Sequence, residues 1–529
     1  MASSRHVQSE LQSSLSNSAS EVSAERGKDT LLEIRKFLKD KSILITGATG
    51  FLGKILVEKV LRVQPEIKQL YLLVQPRGGL SPQQRVQSQI LDIELFKVLR
   101  SKLGKEFEEF TKKKITVVGG NVRLPDLGIS SEQAGAITPD LDLIMHLAAN
   151  TRFDGRFDVS LRDNTLGSAS MMEFAKTCPK LKLFLHLLET LGPTSTKKWS
   201  SLGEGGKQRL FLASAKWFRS VQLYGCMISD LTARCANYES MYLRAELFGW
   251  QDVYTFTKAM GEMLLFENRG HIPVAIVRPS SVMCSYKEPF PGWVEGFKVY
   301  DPIAVPYGLG QFPGFPLFEN SVFDMVPVDM VVNTILAVAT KHYGREQQDT
   351  FVYHSSSGSV NPLSGKEFGE AIYKHFKAYP MMDNNGNDIQ VERFRCFEDA
   401  DEFKRSVRSR LLSAALVRLR SSRGSNSDTD KVHQQEYAKV KSDSDKLLRR
   451  CETIGTYTKQ FASFDNQNAE NLRRQICQNE QETFGYSVYG VDWINFLAEV
   501  HLPGLRRHVL KKHRIQGLKQ EHSQTPSRL

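Results

Sequence analysis

The stretch that decides the fold spans residues 42–54 and reads Ser-Ile-Leu-Ile-Thr-Gly-Ala-Thr-Gly-Phe-Leu-Gly-Lys. Its apolar, β-branched start is typical of a buried parallel strand, and a helical pattern of apolar residues follows the glycines. Gly47 permits a tight turn, Gly50 lets a pyrophosphate approach the backbone, and Gly53 lets the helix pack against the strand. The sequence therefore predicts a dinucleotide site here.

The composition of the whole chain limits the classes of partner. The 529 residues carry a net charge of +11, which suits anionic partners such as phosphorylated cofactors, coenzyme A or anionic lipid headgroups. No helix-turn-helix, zinc-finger or aromatic RNA-binding signature is present, so we do not expect nucleic acid as a partner. The seven cysteines are scattered without Cys-x-x-Cys spacing, which indicates a reducing, intracellular compartment and no structural zinc.

We expect both ends of the chain to be disordered tails. Residues 1–28 are rich in serine and lack the apolar cluster of a secretory signal. Their arginines and serines faintly suggest a transit peptide, whereas their glutamates favour a disordered tail over 1–30. We expect a second disordered tail at 513–529. No uncharged apolar run reaches the length needed to cross a bilayer.

Apolar runs alternate with helical patterns along the first two thirds of the chain. This alternation predicts an α/β fold with a Rossmann-type, doubly wound parallel sheet. The further predicted strands span residues 69–75, 114–120, 141–147, 181–187 and 274–277. We expect the nucleotide domain at 31–350 and a mainly helical second domain at 351–512, with a polar linker at 424–445.

The end of the second predicted strand indicates the cofactor. Sites that prefer NAD commonly place a carboxylate there to bind the ribose 2′-hydroxyl. This strand ends in Gln75, Pro76 and Arg77 instead, and Arg77 can pair with a 2′-phosphate. The alternative is a surface arginine in a loop. The sequence therefore favours NADPH.

Tyr254 and Lys258 are the candidate catalytic pair. Four residues apart on a helix, they share one face. A phenol with an ordinary pKa of about 10 is a poor acid at neutral pH, and a nearby ammonium lowers that pKa. Tyr254 can then give a proton to a carbonyl oxygen as hydride reaches the carbon. After a nucleotide loop, this pair resembles the catalytic helix of the extended short-chain dehydrogenases/reductases.

Longer segments resemble plant alcohol-forming fatty acyl-CoA reductases, in particular the male-sterility branch. They span residues 54–73, 254–263, 286–296, 326–333 and 501–508, and the resemblance as a whole covers about 35–186 and 243–512. It implies a C-terminal sterility-type domain and NADPH-dependent reduction of a long-chain acyl-CoA, through an aldehyde, to a primary alcohol. Such alcohols feed waxes, suberin or the pollen-wall polymer, in the plastid or at the surface of the endoplasmic reticulum.

The expected site needs no metal. Tyr254 donates the proton, and Lys258 tunes it and holds the nicotinamide ribose. The expected cofactor contacts lie at strand ends and at the helix starts that follow them: Thr46, Gly47, Thr49, Gly50, Phe51, Leu52, Gly53, Arg77, Asn121, Val122, Ala148, Ala149, Asn164, Lys258, Arg278, Pro279 and Ser280.

An arginine-rich segment at 405–423 carries interleaved leucines. It could lie on a membrane surface or receive the phosphates of coenzyme A. A solvated, partly buried helix explains the same pattern, and we favour that interpretation. For the whole chain the alternatives are a cofactor-binding scaffold without catalysis and another extended reductase, such as a hydroxysteroid dehydrogenase or an epimerase.

Residues 187–241 depart from the resemblance. Relatives carry a hydroxyl after the fifth strand that binds the substrate carbonyl beside the tyrosine. This chain has Leu188 and Glu189 there, and Thr190 is one residue off, which along a strand points to the opposite face. Glu189 would also bring a carboxylate near an oxygen that becomes electron-rich. We therefore expect the chain to bind NADPH but to reduce acyl-CoA weakly or not at all.

Overall fold

The computed structural model describes residues 31–151, 156–188, 252–345, 351–383, 385–421, 427–458 and 464–510. The tails expected at 1–30 and 513–529 lie outside these residues. So does the divergent segment beyond Leu188, including Glu189 and Thr190.

A seven-stranded parallel sheet forms the centre of the fold. Its strands are β1 (Ser42–Thr46), β2 (Gln69–Val74), β3 (Ile115–Gly119), β4 (Leu143–His146), β5 (Leu183–Leu187), β6 (Val274–Pro279) and β7 (Phe351–Ser355). The order across the sheet is β7-β6-β5-β4-β1-β2-β3. Ile43 of β1 pairs with Leu70 on one side and with Leu143 on the other. The connections therefore reverse at β1, and ligands of open α/β sheets bind at such a point.

Helices cover both faces of the sheet. Successive side chains of β1 point to opposite faces and are buried in two separate hydrophobic clusters. Ile43 and Ile45 belong to one buried cluster, and Leu44 belongs to another. The described helices of ten residues or more are α1 (Phe51–Val63), α2 (Gly167–Lys176), α3 (Val253–Asn268), α4 (Val328–His342), α5 (Gly365–Ala378), α6 (Ala400–Ser421) and α7 (Ser427–Thr458). Helices α1 and α4 pack on the Ile43 face, and α2 and α3 pack on the Leu44 face. This arrangement confirms the predicted doubly wound fold.

Shorter elements complete the described chain. The helical turns are Ile34–Leu38, Pro82–Val86, Gln87–Leu91, Glu94–Phe96, Lys97–Leu103, Gly104–Glu106, Phe107–Lys114, Pro125–Gly128, Ser131–Ile137, Phe157–Ser160, Leu161–Leu166, Asp301–Gly308, Gln467–Arg473, Gln478–Glu480, Gln481–Phe484, Trp493–Asn495, Phe496–His501 and Leu502–His508. The short strands are Ser281–Met283, Gly314–Phe315, Val322–Phe323, Met325–Pro327, Leu363–Ser364, Met381–Met382, Asp388–Ile389 and Arg395–Cys396.

The domain boundary predicted at 350 cuts off the last strand of the sheet. β7 lies beyond that boundary, yet it pairs with β6, with Phe351 opposite Ala275. As an edge strand, β7 has an alternating burial pattern instead of a continuous apolar run, so its sequence carries a weak strand signal. The nucleotide domain therefore extends at least to Ser355.

The polar segment predicted as a linker at 424–445 is helical from Ser427 onward. Leu448 and Cys451 are 4% and 3% exposed, and they anchor α7 to the protein body. Ion pairs join α7 to α6, including Lys404 with Glu452 at 2.6 Å. The linker prediction was wrong for 427–445, because the buried apolar residues that hold this helix lie farther along the chain.

Candidate active site

The carboxyl ends of the central strands open into a cleft of about 1660 Å³. Most of the predicted site residues line it: Thr46, Gly47, Thr49, Gly50, Phe51, Leu52, Gly53, Arg77, Asn121, Val122, Ala148, Ala149, Tyr254, Lys258 and Pro279. The structure therefore brings the glycine loop and the tyrosine–lysine pair, which are about two hundred residues apart in sequence, to one cavity.

The glycine loop has the close backbone contacts that a dinucleotide cradle requires. Gly47 has a φ of +73°, and a Cβ atom there would lie 2.8 Å from the Ala148 nitrogen. A Cβ atom on Gly53 would lie 2.3 Å from the Gly47 carbonyl oxygen. Gly50 caps the start of α1, so the first amides of that helix are directed at the cleft. These features fit a bound pyrophosphate.

Arg85 lies near Arg77 beside the glycine loop, and sequence reasoning missed it. Its guanidinium donates to the Gln75 carbonyl oxygen at 2.7 Å and to Thr49 Oγ1 at 3.2 Å. Burial, and next the charge of Arg77, lower the pKa of Arg85. Two guanidinium groups are therefore close together beside the glycine loop. The capping box at Ser81, which starts a helix just after β2, was the sequence signal that could have found Arg85.

The candidate catalytic pair is buried at the start of α3. Asp252 caps this helix, with its Oδ1 accepting from the Thr255 amide at 2.8 Å. Tyr254 is 1% exposed and Lys258 is 2% exposed, and both line the cleft. The Lys258 ammonium donates to the Leu187 carbonyl oxygen at 3.0 Å. This bond fixes α3 to the end of β5.

Two buried histidines lie near the ammonium of Lys258. His146 on β4 shares a hydrogen bond with Thr46 Oγ1 at 2.8 Å, and its ring stacks on His186 of β5. Burial, and then the charge of Lys258, lower the pKa of His146 to about 3. The same two causes hold the pKa of His186 well below its ordinary value. Both rings are therefore neutral at physiological pH.

Of the predicted site residues, Asn164, Arg278 and Ser280 do not line the cleft, so their contact with the cofactor stays a prediction. Side chains alternate along a strand, so Arg278 and Ser280 point away from the face that Pro279 presents to the cleft. Arg278 instead forms a buried ion pair with Glu262.

Asn164 supports the catalytic helix from behind. Its amide donates to Thr257 Oγ1 at 3.1 Å and to the Asn150 carbonyl oxygen at 3.1 Å. A Cβ atom on Gly261 would lie 2.3 Å from the Asn164 carbonyl oxygen, so the two helical segments are in close contact there. Asn164 therefore positions α3 without reaching the cavity.

The cleft is strongly basic. Among the described residues that line it are eight cationic side chains and only two carboxylates. Asp163 pairs with Arg123, and Asp252 caps α3. The remaining cations are Arg77, Arg85, Lys258, Lys298, Lys446, Arg449 and Arg450. This charge balance suits ligands that carry several phosphates.

The basic segment predicted at 405–423 contributes none of these described lining residues. Arg405, Arg408 and Arg410 face carboxylates outside the cleft, for example Arg410 with Glu392 at 2.8 Å. Phe403 and Val407 of the same helix are buried. The described part of the segment is thus a partly buried helix, as we favoured. The neighbouring helix α7 contributes three of the cleft-lining cations: Lys446, Arg449 and Arg450.

Within the described ranges, we find no helix that is long and apolar enough to cross a membrane. The same ranges contain no cluster of His, Cys, Asp and Glu side chains that could hold a metal ion.

Comparison with known proteins agrees with this geometry. The "Male sterility protein" family model matches residues 45–335. "Fatty acyl-CoA reductase 2, chloroplastic" of Arabidopsis thaliana is 36% identical over 91% of this chain and 80% of its own length. "Alcohol-forming fatty acyl-CoA reductase" of Simmondsia chinensis is 33% identical over 90% of this chain and 99% of its own length.

Among solved structures, the terminal R domain of the myxalamid PKS-NRPS pathway has a similar fold. It has a TM-score of 0.53 and 17% identity, covering 90% of this chain and 92% of that domain. The R domain of a nonribosomal peptide synthetase from Mycobacterium tuberculosis has a TM-score of 0.51 and 16% identity, covering 88% of this chain and 92% of that domain. The solved structures share only the fold, whereas the family match and the plant relatives show that the chain belongs to the male sterility family of fatty acyl-CoA reductases.

Proposed function

We propose that this protein is an NADPH-dependent reductase that converts a long-chain fatty acyl-CoA to the primary alcohol through the aldehyde. The observation that carries the proposal is the presence of Tyr254 and Lys258 in the cleft that also contains the glycine loop. The names of the relatives support the acyl-CoA substrate and the alcohol product.

The residues of the chain have separate roles in this reaction. NADPH, when bound, supplies the hydride. The glycine loop and the first amides of α1 hold its pyrophosphate, and Lys258 lies where it can hold the nicotinamide ribose. Tyr254 donates a hydrogen bond to the thioester oxygen during the first reduction, after which the thiolate of coenzyme A leaves. In the second reduction Tyr254 gives its proton to the aldehyde oxygen.

Arg77 and Arg85 favour NADPH over NADH. Both line the cleft beside the glycine loop, and the second strand ends without the carboxylate that binds a 2′-hydroxyl. Their proximity is unfavourable by itself, since each guanidinium repels the other. A 2′-phosphate between them neutralises this repulsion. NADH offers no such charge.

We also propose the plastid as the compartment, because the Arabidopsis thaliana relative that is 36% identical to this chain is named chloroplastic. The endoplasmic reticulum surface is the alternative, with contact at the membrane surface. A fluorescent protein fused to the C-terminus of the chain, imaged in plant cells, separates the two. Fluorescence that coincides with chlorophyll supports the plastid, and a reticular pattern contradicts it. Alcohols of this class feed waxes, suberin or the pollen wall.

A cofactor-binding scaffold without catalysis is the competing function, because Leu188 and Glu189 stand where we expect the hydroxyl that binds the substrate carbonyl. The test is to supply purified protein with NADPH and acyl-CoAs of graded chain length, and to measure alcohols by gas chromatography. If the proposal is right, the parent protein forms an alcohol and the Tyr254→Phe variant loses most of this activity. NADPH binding without any alcohol would favour the scaffold.

A further inference from the structure

Helix α7 supplies cationic side chains to the cleft that the cofactor and the catalytic pair do not use. Lys446, Arg449 and Arg450 line the cleft together with Ile454. The four-residue spacing places Lys446, Arg450 and Ile454 along one flank of the helix. Arg449 lies three residues after Lys446 and is therefore its neighbour on the helix surface. The three cations therefore form one basic surface, here called the α7 basic cluster.

The neighbouring flank of α7 fixes the direction of this cluster. Leu448 and Cys451 on this flank are buried. Asp445 faces Arg408 of α6 at 3.7 Å. With one flank packed on the protein and a second held against α6, the α7 basic cluster has a defined orientation towards the cavity.

The cleft is larger than the sites that commonly hold a single small ligand. Sites for a single small ligand commonly occupy about 300–1,000 Å³, and this cleft measures about 1660 Å³. Arg77, Arg85 and the glycine loop account for the phosphates of one dinucleotide. The α7 basic cluster comes from a different part of the chain and adds a second group of cations to the same cavity.

We propose that the α7 basic cluster binds the phosphates of the coenzyme A part of the acyl substrate. This inference rests on the proposed function, because a thioester of coenzyme A brings a pyrophosphate and a ribose phosphate into the site beside NADPH. Lys446 also lies 3.3 Å from Asp443 in an exposed pair. Such pairs contribute little stability, so a phosphate can displace the carboxylate at small cost. Ile454 extends the flank with an apolar contact for the pantetheine arm.

The test compares two double variants of equal charge change on the same helix. Lys446→Ala/Arg450→Ala removes part of the cluster. Lys439→Ala/Lys441→Ala removes two exposed lysines that do not line the cleft. We expect the first variant to raise the KM for acyl-CoA by at least about tenfold, because two charge-assisted contacts are lost. The Kd for NADPH should stay within about twofold. The turnover of an acyl N-acetylcysteamine thioester should also stay within about twofold, because this substrate lacks the nucleotide part of coenzyme A.

The outcomes separate this inference from the proposed function. If the parent protein reduces acyl-CoA and the cluster variant behaves like the control, the cluster assignment is overturned and the function stands. An increase in the Kd for NADPH, or equal effects on both thioesters, also overturns it. If the parent forms no alcohol, calorimetry with coenzyme A itself decides the matter. Binding that the cluster variant weakens at least about tenfold supports the cluster, and absence of binding to the parent overturns it.

Discussion

The Lys258 ammonium donates to the carbonyl oxygen of Leu187 at 3.0 Å. This hydrogen bond joins α3, which carries the candidate catalytic pair, to the last residue of β5. The backbone of β5 therefore positions the lysine.

Tyr254→Phe should remove most turnover while leaving NADPH binding within about threefold. Only the proton-donating oxygen is lost, and loss of a general acid costs about 10²–10⁴ in rate. Stopped-flow turnover and NADPH fluorescence titration measure the two effects. Tyr373→Phe on α5, which removes a hydroxyl that does not line the cleft, is the matched control. Turnover of the Tyr254 variant at the parent rate would refute its assignment.

Gly53→Ala should weaken NADPH binding by at least about tenfold, since the added Cβ meets backbone that has little room to move. That Cβ would lie 2.3 Å from the Gly47 oxygen, so the loop itself has to shift. Gly135→Ala is the control, because that glycine also lies in a helix and has open space around it. Alanine there should stabilise the protein by about 0.5–1 kcal/mol. Equal NADPH affinity in both variants would count against the cradle.

Arg85→Ala should raise the KM for NADPH by at least about tenfold and change the KM for NADH by less than about threefold. The reason is that only NADPH carries the 2′-phosphate which the two guanidinium groups neutralise. Arg77→Ala should act in the same direction. Kinetics with both cofactors provide the measurement, and equal losses with NADH and NADPH would show that these arginines serve another purpose.

The buried His186 should make the protein sensitive to acid. In the unfolded chain its imidazole titrates near about 6.5, whereas burial keeps the pKa of the folded-state ring well below that value. Between these values the unfolded state binds more protons, so stability falls as the pH falls. From about pH 7.5 to about pH 5 this one residue should cost about 2 kcal/mol.

His186→Phe should therefore lose less stability between these two pH values than the parent does. Urea unfolding at each pH measures the difference. His271→Asn, at an exposed position, should keep the parent's pH dependence. An unchanged pH dependence in the His186 variant would show that this ring does not contribute to acid sensitivity.

The local motifs explain how much could be predicted from sequence. The first six strands, the glycine loop and the tyrosine–lysine pair were predictable, because each depends on residues adjacent in sequence. β7 was missed because it is an edge strand with a weak apolar pattern. Arg85 and the α7 basic cluster were missed because their place in the cleft depends on contacts between distant parts of the chain. The helix α7 was also missed, because Leu448, which packs it onto the protein, comes after the polar first half of the helix.

Replacement of residues 187–241 by the corresponding segment of a relative should raise the rate of alcohol formation by about 10²–10³, since one preorganised donor to the substrate oxygen is restored. NADPH affinity should change little, because the glycine loop is untouched. The parent chain and the chimera are assayed side by side for fatty alcohol. Equal and robust activity in both would show that the native segment supplies the missing contact in another way.

The central claim is that this cleft reduces one acyl-CoA twice. Its most direct test uses NADPH that carries deuterium at the transferred position, palmitoyl-CoA as the substrate, and mass spectrometry of the products. The account predicts hexadecanol with two deuterium atoms on carbon 1 and two NADPH oxidised for each alcohol. Aldehyde as the final product, with one deuterium, or the absence of any deuterated product would contradict it.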